Sequence, residues 1–189
     1  MPRLTTLNHL RLSAILRDGD YAIDLTAGNG YDTAFLLSRV GAQGIVFAFD
    51  LQAAAIEATA RRCAGWGAQL RLIQGCHSQV GTVVPKEAQG WVGAVVANLG
   101  YLPGSNHEII SRAESSCGAV RDAFRLVRPG GAVSVLAYTG HPGGREEACE
   151  MRELFEAQRR EEGWRVTVEG DEEIDSIRPV WCWAEREED

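Results

Sequence analysis

Apolar residues along this chain come in short runs separated by longer amphipathic stretches. Residues 7–17 carry Leu7, Leu10, Ile15 and Leu16 at helical spacing and read as a short amphipathic helix. Tyr21, Ala22, Ile23, Asp24 and Leu25 form a run too short for a helix, closed by the turn Thr26-Ala27-Gly28-Asn29-Gly30, so they read as a buried strand. A helix to about Arg39 follows, then a second strand at 45–49, an alanine-rich helix at 52–64 and a third strand at 70–73. Residues 91–97 predict a fourth strand ending in Asn98, and 99–107 a loop with Pro103 and Gly104. The periodicity of 108–127 predicts a long helix stopped by Pro129-Gly130-Gly131. A fifth strand at 132–138, a glycine-rich loop at 139–144 and a charged helix at 145–162 come next. The last strands, 164–169 and 179–184, have no helix between them and read as an antiparallel pair at one edge. Strands alternating with helices imply an α/β fold, a mostly parallel seven-stranded sheet with helices on both faces.

Length and composition narrow the class. A chain of 189 residues, 45% hydrophobic and 24% charged, fits a single globular domain over 1–189 and needs no disulfide or metal staple. No stretch has the ~18 uncharged apolar residues of a membrane span, and the first residues lack the apolar core of a secretory signal. Cys63, Cys76, Cys117, Cys149 and Cys182 form no C-x-x-C pair, so a metal site has no support, and reduced thiols in a cytoplasmic protein are expected. The net charge of −7 is unevenly spread: residues 146–189 hold 16 acidic and 6 basic side chains, residues 1–145 hold 10 and 13. A basic surface that faces nucleic acid therefore remains open to the first three quarters of the chain. Lys86 is the one lysine beside 18 arginines, whose planar fork suits phosphate.

Candidate chemistry collects at the ends of successive strands. Asp24, Ala27, Gly28, Asn29, Gly30 and Asp32 belong to a strand–turn–helix in which glycine permits close approach of a ligand. Thr33 stands where the dinucleotide fingerprint has its third glycine, which disfavours a pyrophosphate cofactor such as NAD. Asp50 ends the second strand, where a carboxylate accepts hydrogen bonds from ribose hydroxyls, and Gln52 adds a polar contact. Cys76 and His77 follow the third strand, where an adenine edge would lie. The series matches an S-adenosylmethionine site, and with the strand pattern it gives a Rossmann-like class I methyltransferase fold.

Two further loops bring reactive groups to the same edge. Asn98-Leu99-Gly100-Tyr101 resembles the N-P-P-Y loop of amino-group methyltransferases, with Asn98 to hold an amine and Tyr101 to stack on its base. Tyr138-Thr139-Gly140-His141 brings a phenol and an imidazole, His141 being a candidate proton acceptor. Trp181 and Trp183 share one face of the last strand and suit a core or a subunit interface better than base stacking.

The blocks D-L-T-A-G-N-G-Y-D-T at 24–33, N-L-G-Y-L-P-G at 98–104 and Y-T-G-H-P-G-G at 138–144 resemble the MnmM-type wobble-uridine methyltransferases, bacterial and plastid proteins once labelled rRNA methylases. The resemblance covers essentially the whole chain. It implies S-adenosyl-L-methionine as donor and conversion of 5-aminomethyl-2-thiouridine to 5-methylaminomethyl-2-thiouridine in the tRNA anticodon loop. It also implies a homodimer, with the C-terminal tryptophan strand as the place to look for the interface. Cofactor residues carried over are Asn29, Asp32, Asp50, Gln52, Cys76 and His77, with Asn98 at the transfer end. Two positions depart: Ser105-Asn106-His107 replaces a more usual glycine, acid and lysine, and Thr139 stands where a second histidine is common. A methyltransferase acting on rRNA or on a small-molecule amine, and a cofactor-binding module without catalysis, remain alternatives.

Overall fold

The central strands of the sheet are apolar runs whose alternate residues bury toward opposite faces, whereas the edge strand at Trp164–Glu169 alternates apolar and polar. The structure, a computed structural model, describes residues 3–100, 111–170 and 179–188. The strands are β1 (Tyr21–Asp24), β2 (Ile45–Asp50), β3 (Leu70–Gln74), β4 (Val92–Leu99), β5 (Val127–Ala137), β6 (Trp164–Glu169) and β7 (Val180–Arg186). The helices are α1 (Leu4–Ile15), α2 (Tyr31–Val40), α3 (Ala53–Arg62), α4 (Val80–Val83), α5 (Ala113–Leu126) and α6 (Gly144–Gln158). The strands form one sheet in the order β3-β2-β1-β4-β5-β7-β6. Only β7 runs against its neighbours. Helix α6 carries the chain past β5 to the sheet edge, where β6 runs parallel to the first five strands; β7 then fills the gap, antiparallel on both sides.

Two cores flank the sheet. Ile23, Phe49, Val95 and Val133 pack against Phe124 of α5 and Met151 and Phe155 of α6. Ala22, Val46, Ala94 and Leu136 pack against Leu12 of α1 and Leu36 and Leu37 of α2. Trp181 and Trp183 belong to this second core, edge to face at 6.2 Å, and are nearly inaccessible. Of the two uses read for the pair, the core is the one seen: the tryptophans face α1 within the same chain, with Arg11 over both rings.

Other differences from the sequence reading have local causes. Strand β5 begins before Pro129-Gly130-Gly131, which form an irregularity within the strand. Glycine is required at 131 because a Cβ there would meet the Gly93 carbonyl oxygen at 2.9 Å. In α1 Leu12 is fully buried and Leu7, Ile15 and the following Leu16 pack with it, whereas Leu10 is 70% exposed. Asn8 decides that face: its Oδ1 accepts from Ser134 Oγ at 2.8 Å, and Ser134 Oγ accepts from Trp181 Nε1 at 2.9 Å. No helix among the described residues is long and apolar enough to cross a membrane.

The strand order reverses between β1 and β4, opening the crevice beyond the strand carboxyl ends where ligands bind in open α/β sheets.

Candidate active site

Three carboxylates converge on that crevice. Asp50, at the end of β2, accepts the Gly28 N–H on Oδ2 and the Gln52 N–H on Oδ1, each at 2.9 Å. A carboxylate has about four acceptor positions, so two remain for a ligand. Asp24 is fully buried at the end of β1, accepting from Thr26 N at 3.0 Å and Thr33 Oγ1 at 2.6 Å. Thr33 thus gives its position a use that a third glycine would not. Burial, and then the negative charge of Asp32, push the Asp24 carboxyl up to about 7, with Asp50 adding to the rise. A crevice of this sign favours a cationic ligand.

The glycine turn closes on itself. Ala27 N–H donates to the Phe49 carbonyl at 2.8 Å, Gly28 N–H to Asp50, and Gly30 N–H to the Ala27 carbonyl at 2.8 Å. The Asn29 carbonyl accepts Arg62 Nε at 2.7 Å. These amides serve the protein rather than a phosphate, which agrees with the missing third glycine. Gly30 has φ +78°, and a Cβ there would lie 2.8 Å from the Thr59 Cα, so the turn packs directly on α3.

At the end of β4, Asn98 N–H donates to Thr26 Oγ1 at 2.7 Å. Asn98 Nδ2 donates to Asp32 in the first turn of α2. Asn98 Oδ1 is shielded from solvent and has no hydrogen-bond partner among the described residues. Beside it, Tyr138 N–H donates to the Leu99 carbonyl at 3.0 Å, which ties the loop after β5 to the end of β4. Burial, and then Asp32, raise the Tyr138 phenol. The His141 ring lies between Gly100 and Gly144: a Cβ at Gly144 would approach its Cε1 to 2.8 Å, and one at Gly100 its Nε2 to 3.6 Å. His141 Nδ1 is 3.1 Å from the Pro142 carbonyl. Tyr101 lies outside the described residues.

The residues after β3 turn inward. His77 is buried, its ring hydrogen-bonded with the Leu25 backbone, and burial lowers its pKa. Its Nε2 is 3.4 Å from Ser116 Oγ. Ser116 Oγ and Ser111 Oγ both donate to buried Glu147, at 2.7 and 2.5 Å. Cys76 Sγ accepts from Ser78 Oγ at 3.1 Å. Sequence reasoning did not foresee the use of Glu147, because its acidic position inside a charged helix carries no mark of burial.

The sheet order and the acids at its carboxyl edge define a Rossmann-like methyltransferase fold. Solved structures agree: an rRNA-methylase from Clostridium thermocellum superposes with a TM-score of 0.88 at 30% identity, over 98% of each chain. A methyltransferase from Streptococcus mutans, solved in complex with SAH, superposes with a TM-score of 0.82 at 24% identity, over 98% of this chain and 99% of that one. The chain belongs to the family described as "Putative rRNA methylase", whose model matches residues 46–177. That bears out the family resemblance read from the three motif blocks. A chloroplastic tRNA (mnm(5)s(2)U34)-methyltransferase of Arabidopsis thaliana is 38% identical over 169 residues, 81% of this chain and 58% of that protein. The chain spans about half the length of the curated relatives it matches.

Proposed function

We propose that this chain is an S-adenosyl-L-methionine-dependent N-methyltransferase that converts 5-aminomethyl-2-thiouridine to 5-methylaminomethyl-2-thiouridine at the tRNA wobble position. The observation that carries the reading is the Asn98 amide, whose Oδ1 faces away from Asp32 with no described partner, beside an acidic crevice. The crevice fits the donor chemically. Asp50 keeps acceptor capacity for a ribose. The charges of Asp32 and Asp50 complement a sulfonium and an ammonium, with Asp24 buried behind them and pushed toward its neutral form. Gln52, Asn29 and the 76–77 backbone complete the cofactor contacts in this reading.

The donor, when bound, supplies a methyl group on a positively charged sulfur. The substrate ammonium first gives up a proton, and the lone pair so freed forms the new N–C bond as the donor's C–S bond breaks and its electron pair stays on sulfur. Asn98 Oδ1 accepts one amine N–H and aims the lone pair, a positioning contribution of the kind worth ~7–11 kcal/mol in well-oriented reactions. His141 or solvent takes the proton. Tyr138 borders the base. An anticodon loop already presents unstacked bases, so one such crevice with a modest basic rim suffices for access. Five unpaired thiols support a reducing, cytoplasmic setting. A homodimer belongs to the same reading.

Nucleoside mass spectrometry of tRNA from a deletion strain tests the proposal. Loss of the methylated nucleoside with accumulation of its aminomethyl precursor is expected. An unchanged tRNA profile with a methyl group missing from rRNA would instead favour methylation of rRNA.

A further inference from the structure

An asparagine amide has two ends of nearly equal shape, one a donor and one an acceptor. Only the acceptor end can hold the N–H of an incoming amine. Something must therefore fix which end faces the substrate, and the structure contains such a device. Asn98 Nδ2 donates to Asp32, and a carboxylate accepts only, so the oxygen end is turned away from Asp32.

Asp32 is itself held from a third element. His9 of α1 places Nε2 2.5 Å from Asp32 Oδ1, and with a carboxylate as partner that nitrogen carries the proton. The His9 ring stacks on Phe35, with centroids 3.9 Å apart and planes 3° from parallel. Asn8, one residue earlier, is bound within the sheet through Ser134 and Trp181. The register of α1 is thus set by a buried polar chain, and that register brings His9 over Asp32.

We infer that His9 and Asp32 are positioning residues that hold the Asn98 carboxamide with Oδ1 toward the amine. This rests on the functional reading above. Without His9, Asp32 turns more freely and the amide samples both faces. Substrate and donor then still bind, but the lone pair is less often aligned for attack.

The test uses the full chain and tRNA bearing 5-aminomethyl-2-thiouridine, with wild type, His9→Leu, Asn98→Ala, the double variant and His9→Gln, whose amide nitrogen replaces Nε2. His9→Leu is expected to lower kcat about tenfold or more with KM for tRNA and donor affinity little changed. Its effect should vanish in the Asn98→Ala background, because both substitutions act through the same amide. His9→Gln should recover most of the rate. An equal loss in both backgrounds, or a loss confined to donor affinity, overturns the inference. Amide exchange gives a readout independent of turnover. The Asn98 side-chain protons, identified by their disappearance in Asn98→Ala, should exchange about tenfold faster in His9→Leu than in wild type. Equal exchange overturns the inference. A wild-type chain that binds the donor yet leaves this nucleoside unmethylated overturns the functional reading, while the exchange measurement still decides the positioning claim.

Discussion

Asp50 bridges two strand ends: its Oδ2 accepts the Gly28 N–H at 2.9 Å, so the carboxylate at the end of β2 braces the turn that leaves β1. The same group is the proposed ribose contact. Asp50→Ala is expected to weaken S-adenosylmethionine binding by ~2–3 kcal/mol, roughly 30- to 150-fold, through loss of charge-assisted hydrogen bonds. Isothermal titration calorimetry reads this directly. An affinity within twofold of wild type would remove Asp50 from the site.

Asp24 makes stability depend on pH. Burial and the neighbouring Asp32 raise its folded-state pKa from 3.8 to about 7. The folded chain therefore keeps a proton that the unfolded chain releases. The contribution is fully present below the unfolded pKa and is lost as pH rises through the folded one, by up to ~1.4 kcal/mol per pH unit between them. Asp24→Asn removes this slope. Urea midpoints for both proteins at pH 5 and pH 8 check it: the wild type should lose more stability than the variant on going to pH 8. Equal losses would show that Asp24 does not hold the proton.

Arg128 sends Nε to Asp20 Oδ1 at 3.0 Å and Nη2 to Asp20 Oδ2 at 2.8 Å, with both side chains largely buried. Nη2 also donates to the Ile15 carbonyl at 3.0 Å, closing the end of α1 onto the sheet. Arg128→Leu leaves Asp20 without its counter-charge and is expected to cost ~3–5 kcal/mol. Arg128→Lys should recover little, because an ammonium cannot match a fork geometry. Denaturant unfolding measures both, and a cost below ~1 kcal/mol for the leucine variant would contradict the assignment.

Much of the architecture was legible in local pattern. Strand β6 runs from Trp164 to Glu169 as read, because alternation on a half-buried edge is strongly marked. The acids at strand ends stood out because each interrupts an apolar run. Pro129-Gly130-Gly131 misled: the motif that stops helices also makes an irregular strand, and pairing with β4 decides between them. The partners of Asp32 were hidden for another reason. His9 and Asn98 lie 23 and 66 positions away in sequence, and no local periodicity reports such contacts. On α1, Leu7, Ile15 and Leu16 pack on the core as read; Leu10 does not, because the polar Asn8 and Leu12 take the inward positions.

Ser111 N–H donates to the Gly100 carbonyl at 3.0 Å, and Ser111 Oγ is gripped by Glu147. Gly100 at the end of β4 and Ser111 ahead of α5 are thus fastened to each other and, through Glu147, to α6. A pull on either end of this clasp is therefore shared between the sheet and two helices, so the mouth of the crevice and the packing of α5 on α6 answer to one small hinge pin.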